Sequence, residues 1–359
     1  MKPATAMERA LMKTFGYAAQ SVGADLAPYS FERRTLRPED VAMEILYCGV
    51  CHSDLHQTRN DWGGASYPMV PGHEIVGRVT AIGEAVVKYK VGDHVAVGCF
   101  VDSCLHCDQC RKGNEVFCRE VATQTYNTPD RITGANTLGG YSKHLVVREE
   151  FVLRIPDGMD VSRAAPLLCA GITTYAPLRT WNVGPGSRVG VVGLGGLGHM
   201  AVKLGGALGA DVTVISRSEA KKADALALGA SRLLVSADDR AMANAAATFD
   251  LIIDTVPAKH DINPYIALLD IDGTLDIVGQ LGPVPELFTV PMVMGRRRLA
   301  GSPVGGIAQT QEMLDFCGKK GILPDVEIIR MDAINEAFKR MERSDVRYRF
   351  VIDMATLSA

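Results

Sequence analysis

Four cysteines lie close together before residue 120, at a spacing that suits a metal ion. Cys104, Cys107, Cys110 and Cys118 fall within fifteen residues. Four thiolates around Zn²⁺ form a closed tetrahedral site that leaves no position for a substrate. A bacterial iron-sulfur run ends in C-x₃-C-P, whereas the last interval here is seven residues and Arg119 follows it. The spacing therefore predicts a structural zinc.

A second ligand set has to be assembled from residues far apart in the chain. It comprises Cys51, His73 and Cys169, with Glu74 directly after the histidine. Two thiolates and one imidazole leave a fourth tetrahedral position open to water or substrate, which is typical of a catalytic zinc. Glu74 is either an exchanging ligand or a carboxylate behind the ligands, and the sequence leaves both open. We predict two zinc ions per chain.

The stretch from Cys48 to His52 allows two competing interpretations. It matches the C-x-x-C-H signature of covalent haem attachment, and it contains a C-x-x-C that is typical of a redox pair. Both require Cys51 to be free of zinc. The N-terminal stretch lacks the continuous apolar segment of a secretory signal, so we expect a cytoplasmic protein whose residues 1–12 form a loose extension. Its nine cysteines are then ligands, nucleophiles or core residues rather than disulfides. We expect Cys48, Cys99 and Cys317 to be buried packing residues.

A glycine-rich loop predicts a dinucleotide site. The pattern G-x-G-x-x-G follows a short apolar strand and opens a helix, which is the context that the dinucleotide-binding fingerprint requires. The glycines permit a tight turn, close approach of the pyrophosphate and close helix packing. The residues of this loop are Gly193, Leu194, Gly195, Gly196, Leu197 and Gly198.

The end of the next strand indicates which dinucleotide is bound. An acidic residue there would hydrogen-bond the ribose 2′-hydroxyl of NAD. Here the strand ends at Ser216, Arg217 follows at once, and Lys221 lies one turn later. Hydroxyl, guanidinium and ammonium groups suit a 2′-phosphate, so we predict NADP(H). Glu219 comes too late to be the strand-end acid.

The elements that must position these residues form two kinds of pattern. Up to residue 152 the chain is rich in glycine, proline and short β-branched runs, which is typical of a mainly β domain. From residue 164 strands and helices alternate, which predicts parallel β-α-β units. We therefore expect an α/β-plus-β architecture with a catalytic domain at 1–163, a doubly wound cofactor domain at 164–301, and a segment 302–359 that returns to the first domain.

Length and composition agree with two domains and exclude some partners. The chain has 359 residues, 47% of them hydrophobic, and a formal net charge of −3. Such a length exceeds the usual size of one core. The charge gives no reason to expect nucleic acid or an anionic membrane as a partner. Since no run of about 18 apolar residues occurs, we expect no membrane span.

The motifs occur in the order of a known family. The chain resembles the zinc-dependent medium-chain alcohol dehydrogenases over residues 40–355, and it is similar to their cinnamyl-alcohol-dehydrogenase-like branch, which includes bacterial NADPH-dependent aldehyde reductases. The motifs that support this resemblance are GVCHSDLH, VPGHEIVGRV, GDHVAVG, CLHCDQCRKGNEVFC, LLCAGITTY, GLGGLGH, TLGGYS, ISRSEAK and GIAQTQEMLDFC.

The resemblance implies a GroES-like catalytic domain, a Rossmann domain and an active site in the cleft between them. It assigns Cys51 to the catalytic zinc, which argues against the haem and redox-pair interpretations. It also implies roles for several other residues. The expected roles are a proton relay for Ser53 and His56, a partner of the histidine ligand for Asp54, a pyrophosphate contact for His52 and a nicotinamide contact for Thr173.

The expected activity is reduction of a broad range of aldehydes, aromatic ones included, to primary alcohols with NADPH as hydride donor. We expect Trp62 and Met294 to line the substrate pocket and the chain to form a homodimer, with a tetramer as the alternative. Two other functions remain open from the sequence. One is an NAD-dependent alcohol or polyol dehydrogenase on the same fold, and the other is a non-catalytic NADPH-binding regulatory protein.

Overall fold

The structure is a computed structural model that describes residues 12–279, 282–284 and 286–358. The chain divides into two compact units. One is formed by the chain up to Cys169 together with the part from Gly306 onward, and the other spans Ala170–Gly305. The N-terminal extension predicted from the sequence lies, up to residue 11, outside the described residues.

The first stretch of the chain, up to Cys169, is mainly β-structure, as its dense β-branched runs predict. Its strands are β1 (Met12–Ala18), β2 (Ala27–Arg33), β3 (Asp40–Val50), β4 (Ile75–Ile82), β5 (His94–Val97), β6 (Phe100–Asp102), β7 (Thr123–Gln124), β8 (His144–Arg148) and β9 (Leu153–Arg154). Its helices are α1 (His52–Thr58), α2 (Asp108–Arg111) and α3 (Val161–Ala164).

The middle stretch alternates helices and strands. Its helices are α4 (Ala170–Thr180), α5 (Gly198–Ala207), α6 (Lys222–Ala227), α7 (Asp239–Asn244), α8 (Asn263–Leu268) and α9 (Val290–Gly295). Its strands are β10 (Arg188–Val192), β11 (Asp211–Ser216), β12 (Arg232–Val235), β13 (Phe249–Asp254), β14 (Leu269–Ile277) and β15 (Arg298–Gly301).

The last stretch adds two helices and two strands to the first unit. They are α10 (Ile307–Lys320), β16 (Val326–Arg330), α11 (Ile334–Glu342) and β17 (Arg349–Asp353). Helix α10 is amphipathic, because its buried residues Thr310, Met313, Leu314 and Cys317 recur at helical spacing. It ends where Gly321 takes a left-handed conformation, a common helix stop.

The main sheet of the first unit has the strand order β16-β17-β3-β4-β5-β9, and β8 pairs with β3 as well. Strand β17 runs antiparallel to β3, with Phe350 opposite Val50. This pairing inserts a strand from the end of the chain beside the strand that leads directly to Cys51. The returning segment therefore helps to build the surroundings of the second ligand set.

The sheet of the other unit is entirely parallel, with the strand order β12-β11-β10-β13-β14-β15. This is the order of a doubly wound dinucleotide-binding fold, in which ligands bind at the carboxyl ends of the strands. Central strand β10 is buried along most of its length and has the continuous apolar sequence of a parallel strand covered on both faces. No helix within the described residues is long and apolar enough to cross a membrane.

Candidate functional site

The four-cysteine loop brings its thiols together as the spacing predicts. The ligand atoms of Cys104, Cys107, Cys110 and Cys118 all lie within 4.8 Å of one another. Cys104 Sγ is 3.8 Å from Cys110 Sγ. Two thiolates bound to one zinc at about 2.3 Å in tetrahedral geometry are about 3.8 Å apart, so the cluster fits zinc.

Main-chain N–H groups of this loop point at the sulfur atoms. Cys104 N donates to Cys118 Sγ at 3.4 Å, and Cys107 N donates to Cys104 Sγ at 3.3 Å. Donors from Arg119 and Cys110 lower the pKa of Cys107 to about 6. Hydrogen bonds to the charged form of a group stabilise that form. These donors thus favour the thiolate of Cys107, which is the form that a metal binds.

The second ligand set is also brought together, although its members come from three separate segments. Cys51 immediately precedes α1, His73 and Glu74 immediately precede β4, and Cys169 ends the first unit. All four are buried, and their ligand atoms lie within 4.8 Å of one another. The Sγ atoms of Cys51 and Cys169 are 3.9 Å apart, close to the spacing that one tetrahedral zinc requires. The donor set therefore fits a catalytic zinc.

Asp54 contacts the ring nitrogen of His73 and so fixes the orientation of this ligand. Its side chain is completely buried, and its Oδ1 lies 3.1 Å from His73 Nδ1. The main-chain N–H groups of Cys51 and Gly72 donate to the same carboxylate, each at 3.0 Å. A carboxylate on one ring nitrogen of a metal-binding histidine fixes its tautomer and orientation. Asp54 thus leaves the other ring nitrogen, Nε2, for the metal.

Arg349 is a functional residue that the sequence analysis missed. It lies on β17, is buried, and forms an ion pair with Oε1 of Glu74. Glu74 Oε2 has no hydrogen-bond partner among the described residues. Burial raises the pKa of Glu74 to about 7 against the opposing charge of Arg349. The one sequence signal was a basic residue directly before the apolar run 350–352 of β17.

Cys99 was expected to be an ordinary packing residue, and this expectation was wrong. It is half-buried, and a hydrogen bond with Cys169 is the first cause of the lowered pKa of the Cys99 thiol. A third thiol therefore lies beside the assembled ligand set. It follows strand β5 closely, so only the fold reveals the proximity.

The residues expected to form a proton relay lie on helix α1. Ser53 Oγ is 3.6 Å from Cys51 Sγ, and His56 lies one turn further along. His56 Nδ1 is 2.7 Å from Oδ2 of Asp61, a contact that the sequence analysis did not anticipate. The ring of Trp62 lies 5.3 Å from the ring of His56, and the indole is 40% exposed. Trp62 is therefore close to the predicted relay.

The glycine-rich loop follows β10 and opens α5, as predicted. Gly193 has a φ of +86°, which favours glycine. A Cβ atom at Gly198 would lie 2.2 Å from the main-chain oxygen of Gly193, so no larger residue fits there. Helix α5 has ten residues and no side-chain cap at its N-terminus. The N-terminus of a helix that follows such a loop is a favourable place for a pyrophosphate.

The residues expected to contact a 2′-phosphate lie together after β11. Ser216 ends this strand, while Arg217 and Lys221 are exposed. Glu219 is engaged elsewhere, because Lys222 Nζ donates to its carboxylate at 2.8 Å. The local charge next to Ser216 is therefore positive, as a phosphate would require.

The remaining predicted contacts have differing surroundings. His52 is half-buried, and burial lowers the pKa of its ring. Thr173 is buried in α4, whereas Met294 is 81% exposed on α9.

A parallel dinucleotide-binding sheet and a unit with one closed and one open metal-ligand set define a zinc-dependent oxidoreductase. An alcohol dehydrogenase GroES-like domain matches residues 37–157, and a zinc-binding dehydrogenase domain matches residues 196–319. Aldehyde reductase YahK of Escherichia coli is 52% identical over 351 residues, which cover 97% of this chain and all of that protein (100%).

Two solved structures are similar along almost the whole chain. A cinnamyl alcohol dehydrogenase of Sorghum bicolor has a TM-score of 0.93 at 48% identity, covering 96% of this chain and 99% of that chain. The protein named CAD from Helicobacter pylori, solved in complex with NADP(H), has a TM-score of 0.91 at 40% identity, covering 97% of this chain and 100% of that chain.

The chain belongs to the zinc-dependent medium-chain alcohol dehydrogenases, in their cinnamyl-alcohol-dehydrogenase-like branch. The fold class predicted from the sequence is confirmed, and so is the predicted enzyme class, an alcohol dehydrogenase or aldehyde reductase that uses zinc and NADP(H).

Proposed function

We propose that the chain reduces a broad range of aldehydes, aromatic ones included, to primary alcohols with NADPH as the hydride donor. The observation that carries this proposal is the buried ligand set of Cys51, His73, Glu74 and Cys169, gathered within 4.8 Å. Two thiolates and an imidazole on zinc leave one tetrahedral position for a carbonyl oxygen. The names of the relatives, an aldehyde reductase and a cinnamyl alcohol dehydrogenase, support the substrate class.

In this proposal Cys51, His73 and Cys169 hold the catalytic zinc, and Cys104, Cys107, Cys110 and Cys118 hold the structural zinc. When bound at the first set, zinc supplies a Lewis acid that polarises a carbonyl oxygen. Arg349 restrains the Glu74 carboxylate through their ion pair. Glu74 is thereby kept beside the other ligands, while its Oε2 has no hydrogen-bond partner among the described residues. This oxygen is therefore available as a ligand that binds the metal only during part of the reaction.

The proton for the product oxygen comes from α1. Ser53 lies beside Cys51 and would donate its hydroxyl proton to the product oxygen. His56 would replace that proton, and Asp61 orients its ring at 2.7 Å. An unperturbed histidine titrates at about 6.5, which suits a group that exchanges protons with water near neutral pH.

The cofactor is bound by the domain in which strands and helices alternate. We assign NADP(H) binding to the doubly wound domain, which was predicted at 164–301 and whose compact unit is Ala170–Gly305, with the loop from Gly193 to Gly198 under the pyrophosphate. Ser216, Arg217 and Lys221 receive the 2′-phosphate. Residues 1–163 and 302–359 form the catalytic domain, and His52 and Thr173 complete the contacts with the cofactor.

The decisive experiment measures NADPH oxidation over a panel of aliphatic and aromatic aldehydes, together with the zinc content of the protein. We expect turnover of both aldehyde classes and two zinc ions per chain. Cys51→Ser is the matched control and should lose turnover and one zinc. A wild-type protein with two zinc ions and no turnover would favour a silent NADPH-binding protein.

A homodimer in the cytoplasm completes the proposal, with a tetramer as the alternative assembly. Strand β15 lies at an edge of its sheet, and exposed apolar side chains lie around it and on α9. An uncovered edge strand pairs readily with another chain. The most exposed of these side chains are Ile271, Phe288, Val290, Val293 and Met294. Light scattering after size exclusion should give twice the mass of one chain. The Val293→Asp variant should instead give the mass of a single chain.

A further inference from the structure

The segment 137–142, TLGGYS, was among the motifs behind the family resemblance but had no role in the proposed chemistry. In the structure it lies against the segment that holds the histidine ligand. Gly139 N donates to Val70 O at 2.7 Å, Gly140 N to Gly72 O at 2.8 Å, and Tyr141 N to the oxygen of Pro71 at 2.9 Å. We call residues 137–142 the strap. These three hydrogen bonds fix the strap directly beside the VPGHE motif.

The strap places the Tyr141 hydroxyl on the carboxylate of Asp54. Tyr141 and Asp54 are both completely buried, and Tyr141 donates to Asp54 Oδ2 at 3.1 Å. Gly72 makes this approach possible, because a Cβ atom there would lie 2.6 Å from the Tyr141 ring. The φ of Gly72 is also +100°, so a larger residue would be strained as well.

With this hydroxyl each oxygen of the Asp54 carboxylate has two hydrogen-bond partners. Oδ1 faces Gly72 N at 3.0 Å and His73 Nδ1 at 3.1 Å. Oδ2 accepts from Cys51 N at 3.0 Å and from Tyr141. Since a carboxylate has about four lone-pair positions, it is held against rotation on both oxygens. His73 Nδ1 must then be the donor in its contact, which leaves the Nε2 lone pair for a metal.

A second phenol lies against the same pair. The ring of Tyr126 is 5.9 Å from the ring of His73 and is nearly buried, at 5% exposure. Burial, the negative charge of Asp54 and a hydrogen bond to Asp54 raise the pKa of Tyr126 well above its ordinary value. Tyr126 therefore packs on the histidine ring and faces the acid that orients this ring.

A buried cation holds the strap in place. Arg33 Nη2 donates to Gly139 O at 2.8 Å and to Ser142 Oγ at 2.7 Å, and its Nε donates to His144 O at 2.9 Å. Burial lowers the pKa of Arg33 to about 9. Burying a guanidinium is costly unless its donors are satisfied, and Arg33 uses two of them on oxygen atoms of the strap. Arg33 therefore fixes the position of the strap.

We propose that Tyr141 and Tyr126 are positioning residues of the catalytic metal site, which act through Asp54 and the His73 ring to aim Nε2 at the metal. The inference rests on the proposed zinc site at Cys51, His73 and Cys169. Loss of either hydroxyl should weaken the binding of zinc at this set alone. Groups that hydrogen-bond the residues behind a metal-binding histidine typically change metal affinity by about 10- to 100-fold.

The test compares zinc release from the intact enzyme, its Tyr141→Phe and Tyr126→Phe variants, and a control. Tyr89→Phe is the matched control, since the Tyr89 hydroxyl donates to the main-chain oxygen of Val152 at 2.7 Å, away from both ligand sets. Release of the two zinc ions to a chromogenic chelator is followed in time. We expect the catalytic zinc to leave about 10- to 100-fold faster in both variants. The four-cysteine zinc and the Tyr89→Phe protein should behave as wild type.

Two further measurements separate positioning from packing. The visible spectrum of cobalt at the catalytic set should shift in Tyr141→Phe but not in Tyr89→Phe. Combined with Asp54→Asn, Tyr141→Phe should add little to the rate of release, because both act through one carboxylate. Equal release from Tyr141→Phe and wild type, or additive effects in the double variant, would overturn the inference. A wild-type protein with a single zinc would instead overturn the proposed function on which it rests.

Discussion

The two metal-ligand sets of this protein are built in opposite ways. The structural set, Cys104 to Cys118, comes from one short loop whose own N–H groups face the sulfur atoms. The catalytic set comes from three segments between Cys51 and Cys169, and its surroundings include a strand from the end of the chain. The first site depends on local chain geometry, whereas the second depends on the packing of the whole unit. Loss of a ligand should therefore have different consequences in the two sets.

The largest effect is expected at the assembled set. Cys51→Ser should lower kcat/KM for NADPH-dependent aldehyde reduction by about 1,000-fold or more, because several kcal/mol of electrostatic stabilisation at the carbonyl oxygen is lost. Metal analysis should show that one zinc remains. Cys48→Ala is the matched control, since Cys48 is buried nearby but belongs to neither set. Full activity in Cys51→Ser would refute the zinc mechanism.

At the structural set, loss of one cysteine ligand should lower the stability of the fold before it lowers activity. Cys104→Ala should remove the structural zinc and lower the free energy of unfolding by several kcal/mol, because metal binding contributes to the folding of such a loop. The catalytic zinc should remain, and kcat/KM should stay within a few-fold of wild type below the melting temperature. Thermal unfolding together with metal analysis checks this prediction. Loss of both zinc ions in Cys104→Ala would show that the two sets are not independent.

The same contrast explains how much the sequence could predict. The spacing of the four cysteines and the glycine loop were enough to place a zinc and a dinucleotide, because their geometry is local. The catalytic ligands required the family resemblance. The Glu74 to Arg349 ion pair joins residues 275 positions apart, so no local pattern indicated it. Cys99 was misassigned for the same reason, since its neighbour Cys169 is brought close only by the fold.

A third prediction tests the cofactor site, which the sequence also indicates by local patterns. Arg217→Asp should reduce the preference for NADPH over NADH by about 10- to 100-fold, because one charge-assisted hydrogen bond to phosphate is worth about 1.5–3 kcal/mol. The ratio of kcat/KM for the two cofactors is the measurement. Arg240→Asp is the control, because Arg240 is an equally exposed cation on α7 of the same unit. An unchanged ratio in Arg217→Asp would remove the basis of the cofactor assignment.

The smallest expected effect concerns two exposed aromatic residues, one beside each ligand set. The Trp62 ring lies 5.3 Å from the His56 ring, whereas Phe117 is 52% exposed within the four-cysteine loop. If Trp62 lines the substrate pocket, Trp62→Ala should change the ratio of kcat/KM for aromatic over aliphatic aldehydes by about 3- to 10-fold, since an aromatic contact is worth about 0.5–1.5 kcal/mol. Phe117→Ala should leave this ratio unchanged, because the closed site beside it binds no substrate. Equal ratios in both variants would mean that Trp62 only shields the relay histidine, and the pocket assignment would fail.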